Sequence, residues 1–260
     1  MINAFLLTAI ISIPSALLSC YLVLKGWSLM GDAISHSVLP GIIISYLLHI
    51  PLLIGAFCSG MICAVASGFL SENSRIKQDT IMGVVFSGMF GFGIVLYSKV
   101  STEVHLDHIL FGNILGLSLE DLLISFLISA AVTILITIKR QDLLLHTFDP
   151  IHARSIGIPV PFFHYGFLAM VSITIVATLS AVGIILSIGL LIAPGAIAFL
   201  LTQRFGQMLV IATIVSLLSS FLGIYISFFI DSAPAPTIIL LLSAFFIGAL
   251  LHTNMKLKTN

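Results

Sequence analysis

Residues 28–41 read Ser28-Leu29-Met30-Gly31-Asp32-Ala33-Ile34-Ser35-His36-Ser37-Val38-Leu39-Pro40-Gly41, a largely apolar stretch that contains two ionisable side chains. Asp32 and His36 are four residues apart, so on a helix both side chains project from the same face. An ionisable group in lipid costs about 2.5–3.5 kcal/mol on insertion scales and usually faces a cavity or a partner. A carboxylate beside an imidazole suits a divalent cation. This pair is the main indication of what the chain binds.

The composition indicates a membrane protein. Hydrophobic residues make up 59% of the 260 residues and charged residues only 8%, whereas soluble domains have about 25% charged residues. The formal net charge is zero, which gives no indication of a nucleic-acid partner. Cys20, Cys58 and Cys63 are odd in number and lie in apolar runs, so we interpret them as small buried side chains rather than disulfide or metal residues.

Long apolar runs predict an all-α integral membrane protein, a single polytopic bundle over residues 1–260. A span needs about 20 mostly apolar residues. Gly183, Gly189, Pro194 and Gly195 interrupt the run 164–201, which holds either two spans or one span and a broken helix. The prediction is about eight spans, or nine if that run holds two. They lie near residues 4–24, 38–50, 52–70, 80–98, 121–138, 164–183, 185–201, 206–229 and 236–252.

The distribution of Lys and Arg predicts the orientation, because loops on the cytoplasmic side are enriched in these residues. With Lys25 inside and the spans alternating, only Lys99 of the ten basic residues lies outside. The predicted topology is therefore N-terminus outside and C-terminus inside.

Two segments outside the spans complete the predicted organisation. Residues 139–163 form a cytoplasmic connection, in which Asp149 caps a short helix that begins with Pro150. Residues 99–120 form an external segment whose carboxylates and histidines either concentrate cations or are simply solvated.

Small and polar neighbours of Asp32 and His36 favour a metal-binding role. Pro40-Gly41 is predicted to interrupt the helix one turn later, as in many transporter sites. The alternative is a structural polar pair that holds helices together. Asp231, at the end of an apolar span, is either a further metal ligand or a cap at the membrane interface.

The segment around Pro194, Gly195 and Arg204 is a candidate for coupling to a soluble motor. Either Pro194-Gly195 breaks the helix and a short crosswise helix follows, or the proline sits in an ordinary span. The sequence lacks GxxxxGK[ST] and HExxH motifs, so we expect no enzymatic activity and no permanently bound cofactor. If ATP drives transport, another chain must hydrolyse it.

Four stretches resemble the metal-ion ABC importer permeases, the bacterial family that carries manganese, zinc or iron(II). The first stretch runs from Lys25-Gly26-Trp27 to Gly41. The others are residues 108–116, 153–159 and 190–196. The resemblance implies a second permease copy or paralogue, a cytoplasmic ATP-binding subunit, an external metal-binding protein and a location in the bacterial inner membrane. It also implies that Asp32 and His36 belong to the metal path and that the ATPase docks after Pro194.

The transported ion is predicted to be manganese or iron(II), because residues 108–116 resemble that branch of the family more than the zinc branch. A zinc importer of the same family, an ATPase-independent secondary transporter and a membrane assembly subunit are the alternatives. Asp32 and His36 follow soon after Lys25, which places them within or toward the inner half of the path. Two ligands from one chain are too few for a tight cage, so we expect weak binding.

Overall fold

The computed structural model describes residues 2–99 and 119–259, and its regular elements in these ranges are all α-helices. This confirms the predicted all-α class. The predicted external segment 99–120 lies almost entirely outside the described residues. The helices are α1 (Ile2–Lys25), α2 (Met30–Leu47), α3 (Leu52–Asn73), α4 (Gln78–Lys99), α5 (Leu119–Ile138), α6 (Arg140–Phe148), α7 (Pro150–Ser155), α8 (Val160–Leu201), α9 (Phe205–Ile230) and α10 (Pro234–Thr259).

Seven segments of the described chain are individually long and apolar enough to cross a membrane. An eighth arises from α5, which bends by 72° into α6 at the Ile138–Arg140 break. The Asp32 helix, α2, is not among them because its polar residues lower its hydropathy. Its 18 residues nevertheless extend about 27 Å, close to the hydrocarbon thickness of about 30 Å. The predicted multi-pass bundle is confirmed, and its orientation stays a prediction.

Helix α2 begins at Met30 and continues past Pro40 and Gly41, so the predicted start near residue 38 and the predicted interruption at Pro40-Gly41 are both wrong. Pro40 has no N–H for the carbonyl of His36, yet the helix is held by its neighbours. A side chain on Gly41 would collide with the backbone oxygen of Gly55, and Gly93 lies against the ring of Pro40.

The 42-residue α8 consists of two spans joined at one residue. Gly183 has φ 81° and ψ 173°, a conformation open essentially to glycine alone, and the spans run Val160–Leu179 and Val182–Leu201. Of the two alternatives left open for 164–201, the structure shows the one with two spans, and among the four candidate interruptions the break is at Gly183. Pro194 lies inside the second span, so the alternative of a proline in an ordinary span is the observed one.

Helices α1 and α8 form the centre of the bundle. α1 packs against α8, α9 and α5, while α2 packs against α3, α4 and α8. Small residues allow close approach, as is usual between membrane helices. Gly195 of α8 lies against the backbone of Ser19, Gly223 of α9 lies against Ile238, and Ser12 and Ser220 share a hydrogen bond of 2.8 Å.

The connection after α5 folds as predicted at its helix start. The Asp149 carboxylate accepts a hydrogen bond of 2.8 Å from the backbone N–H of His152, and Pro150 is the first residue of α7. Gly157, with φ 87°, then turns the chain toward α8.

Candidate metal-binding site

Asp32 and His36 lie one turn apart on α2, and the structure brings their side chains together. The Nε2 atom of His36 is 3.3 Å from Oδ1 of Asp32. The His36 side chain is 28% exposed and the Asp32 side chain 30%, so the pair is neither sealed in the core nor fully open. Asp32 is in the first turn of its helix, where the helix dipole favours a negative charge.

The spacing of these two atoms suits a shared divalent cation. At ion-to-ligand distances of about 2.0–2.2 Å, atoms 3.3 Å apart subtend an angle of about 100–110° at the ion. Adjacent ligands of octahedral and tetrahedral ions subtend about 90° and about 109°. The separation is also longer than the 2.7–2.9 Å of a strong charge-assisted hydrogen bond. The pair can therefore accept an ion between its members without a change of helix geometry.

Two aromatic residues that the sequence interpretation missed enclose the imidazole. Phe86 stacks on the His36 ring with centroids 5.8 Å apart, and Phe90 meets it edge-on at 5.3 Å. Phe86 and Phe90 are themselves four residues apart on α4, so their spacing shows that they share a helix face but not which helix that face contacts. Nδ1 of His36 is buried and has no hydrogen-bond partner among the described residues. Stacking, rather than a second hydrogen bond, orients this ring.

Helix α3 fixes α2 from another side. The Ser59 hydroxyl donates a hydrogen bond of 2.5 Å to the carbonyl of Ser37, and the Cys63 thiol is 3.7 Å from the carbonyl of Ala33. Cys63 is thus occupied in helix packing and does not join Asp32 and His36. Cys20 and Cys63 are buried as predicted, whereas the prediction is wrong for Cys58, which is exposed.

The third predicted ligand, Asp231, is placed differently. It is the exposed C-cap residue of α9, with left-handed φ 51° and ψ 41°, and its N–H donates to the carbonyl of Ser227. Among the described residues, no group of three or more His, Cys, Asp or Glu side chains could hold an ion. Asp231 therefore does not complete a three-ligand site with Asp32 and His36 in this conformation.

The predicted coupling residues lie at one end of the bundle. Gly195 contacts α1, and Arg204 is the N-cap residue of α9 after a short turn. In this turn the backbone N–H of Arg204 donates to Thr202 Oγ1 at 3.2 Å. The turn borders an open cavity of about 640 Å³ between the ends of α1, α6 and α8 and the start of α9. Its lining residues include Leu24, Phe148, Phe199, Arg204 and Met208.

The chain is similar in sequence to a known transport family and to its members. The model of the ABC 3 transport family matches residues 1–253. The chelated iron transport system membrane protein YfeD of Yersinia pestis is 55% identical over 254 residues, which are 98% of this chain and 86% of the relative. The manganese transport system membrane protein MntB of Synechocystis is 43% identical over 251 residues, 96% of this chain and 82% of the relative.

A solved structure described as PsaBC from Streptococcus pneumoniae in complex with Fab has the same fold. It superimposes with a TM-score of 0.85 and 34% identity, and the match covers 95% of this chain and 89% of that chain.

Proposed function

The chain belongs to the ABC 3 transport family, and on this premise we propose that it is the membrane-spanning permease subunit of an ATP-driven importer of manganese or iron(II). Its proposed location is the bacterial inner membrane, with the N-terminus outside and the C-terminus inside. Seven or more apolar helices and relatives named as iron and manganese transport membrane proteins support the proposal.

The observation that carries the proposal is the 3.3 Å separation between Asp32 Oδ1 and His36 Nε2 on a helix surrounded by others. The ion is the transported substrate, and the site must release it as readily as it binds it. Two ligands from one chain, completed by water or by a second permease copy, give the weak binding that release requires. Phe86 and Phe90 exclude water from one side of the imidazole.

The ligand chemistry is compatible with manganese and iron(II). A carboxylate suits Mn²⁺ and an imidazole suits iron, whereas thiolates are the ligands that favour softer ions. No thiol joins the pair in the described part of the chain, because Cys63 faces the carbonyl of Ala33 and Cys20 is 3.7 Å from the carbonyl of Met208.

The chain has no phosphate-binding loop, so a cytoplasmic ATP-binding subunit supplies the energy and an external metal-binding protein supplies the ion. The proposed docking surface for the ATPase is the cavity beside Arg204, together with the 139–163 connection. Gly195 places this part of α8 in direct backbone contact with α1. A movement of α8 caused by the ATPase would therefore be passed directly to α1.

The test is metal uptake by the permease assembled with its ATPase and external protein in proteoliposomes loaded with a Mn²⁺- and Fe²⁺-sensitive dye. Asp32→Ala and His36→Ala remove one ligand each, and we expect uptake to fall at least 10-fold. Loss of even an outer-shell partner costs 10–100-fold in metal affinity. The matched control is Asp79→Asn, which changes an exposed carboxylate in the first turn of α4, outside the site and the proposed docking surface. Wild-type uptake by both alanine variants, with ATPase assembly intact, would refute the site.

A further inference from the structure

A second pocket lies at the end of the bundle where the 139–163 connection meets the spans. It has a volume of about 310 Å³ and is bounded by the end of α1, by α6 and α7, and by the start of α8. None of the described residues that line it is Asp or Glu. Its basic and aromatic side chains are Lys25, Trp27, His146, Arg154, His164 and Tyr165.

The positive charge in this pocket is held in place by packing. Lys25 Nζ lies 3.8 Å from the centroid of the Trp27 ring and 3.3 Å from Nε2 of His146. The Trp27 ring in turn meets the His164 ring edge-on, with centroids 5.5 Å apart. Arg154 is exposed at the mouth and makes no ion pair within the described residues. The nearby Asp149 carboxylate is engaged by the backbone N–H of His152.

His146 is a neutral hydrogen-bond acceptor for Lys25 in this pocket. Its side chain is 4% exposed, and burial, with Lys25 and His164 close by, lowers its pKa to about 4. The ring is therefore neutral near pH 7. An ammonium group can only donate, so Nε2 accepts from Lys25 and the ring proton must be on Nδ1. Nδ1 is buried and has no partner among the described residues. The role of His146 in the pocket is therefore to hold the ammonium group of Lys25 through Nε2.

An open apolar groove of about 460 Å³ adjoins the pocket at Tyr165, which lines both. The groove follows α3 from Phe69 to Met61, and Ile62, Val65 and Ala66 complete its floor. The nine residues from Met61 to Phe69 extend about 12 Å along the helix, slightly less than one leaflet of a bilayer about 30 Å thick. Gly68 of α3 also lies against Nε2 of His164, so the groove begins beside the pocket.

We propose that this pocket and groove together bind one anionic phospholipid from the leaflet on the side of the 139–163 connection, the predicted cytoplasmic leaflet. The phosphodiester occupies the pocket between Lys25 and Arg154. One acyl chain lies in the groove along α3. Basic pockets between membrane helices suit acidic headgroups, and Trp27 and Tyr165 lie near the ends of the spans Ala4–Lys25 and Val160–Leu179, where aromatic residues are enriched.

The experiment is native mass spectrometry of the purified transporter complex after detergent exchange, titrated with phosphatidylglycerol or with phosphatidylcholine of the same acyl chains. We expect one phosphatidylglycerol to remain bound in preference to phosphatidylcholine. Arg154→Gln and Lys25→Gln should each lower its retention about five-fold, the factor for one basic side chain at an anionic surface. Ala66→Trp, which fills the groove, should lower retention as well.

The controls are Lys139→Gln, an exposed basic residue of the same connection, and Val210→Trp, an exposed position on α9. Neither should change lipid retention. Equal retention of the two lipids, or equal losses in the controls, would overturn the proposal. Displacement of the lipid by inorganic phosphate, with no effect of Ala66→Trp, would also overturn it, because the pocket would then bind a soluble anion.

Discussion

Replacing Gly41 by Ala tests the tightest contact of the helix that bears the candidate site. A Cβ atom at this position would collide with the backbone oxygen of Gly55 and lie 2.6 Å from Cβ of Ser59, whereas ordinary contacts are 3.4–4 Å. Neither obstacle is the flexible end of a side chain, so α2 and α3 must separate by about 1 Å. Overpacking of this kind costs about 1–3 kcal/mol. Alanine recovers up to about 1 kcal/mol through its higher helix propensity.

Both obstacles in Gly41→Ala are rigid, so the overpacking cost is at the upper end, about 3 kcal/mol, and the expected net loss is about 2 kcal/mol. This corresponds to a fall of about 4–8 °C in the unfolding midpoint for a chain of roughly this size. The midpoint can be followed in detergent by the fluorescence of Trp27, which is the single tryptophan and is 6% exposed. Gly248→Ala is the matched control, because that helical glycine has open space around it. Metal uptake should fall in Gly41→Ala alone, since α2 carries Asp32 and His36. Equal midpoints for the two variants would refute the packing argument.

Two further predictions concern the connection between α5 and α8. Asp149→Ala removes the cap of α7 and should destabilise that helix by about 0.5–2 kcal/mol. The loss should be seen as faster amide hydrogen exchange at His152 and Ala153. Asp142→Ala is the control and should leave exchange at these two residues unchanged. Unaltered exchange in Asp149→Ala would contradict the capping role. The second prediction concerns His146, whose pKa in the folded protein is lowered to about 4 from an ordinary 6.5. Between pH 4 and pH 6.5 the unfolded chain therefore binds a proton at this residue that the folded chain does not bind. The stability contributed by neutral His146 should be complete above about pH 6.5 and be lost as pH falls toward 4. His146→Gln should unfold with a smaller dependence on pH across this window, and an unchanged dependence would argue against the assignment.

The sequence predicted the fold class and most span positions because apolar runs and glycine breaks are local properties of the chain. Gly183 was recognisable as a break, and Asp149-Pro150 as a helix start, since each acts on its own backbone. The predicted interruption at Pro40 was wrong because the effect of this proline is not a local property of the chain. Whether a proline ends a helix depends on the neighbours that hold it, and the close contacts at Gly41 and Gly93 come from helices α3 and α4.

The candidate site shows the same division. Asp32 and His36 are four residues apart on one helix, so the sequence could pair them, and the structure places their side chains together. Phe86 and Phe90 could not be assigned to the site, because no feature of α4 in isolation indicates that it packs beside His36. Asp231 was interpreted as either ligand or cap, and only the tertiary structure shows it as the exposed C-cap residue of α9.

The glycine contacts also determine which interfaces of the bundle can deform. At Gly41 with Gly55 and at Gly195 with Ser19, the backbones of two helices are in direct contact, and no rotatable side chain separates them. The two helices of each pair must therefore move together as a rigid body. The contact of His36 with Phe86 and Phe90 is different, because ring side chains can change rotamer. For the proposed metal site, the part of the α2–α4 contact that can adjust is therefore the ring contact beside the His36 imidazole, whereas the contact of Gly93 with the Pro40 ring is tight. Helix α2, which carries the proposed ligands Asp32 and His36, is expected to move together with α3, to which Gly41 joins it by backbone contact.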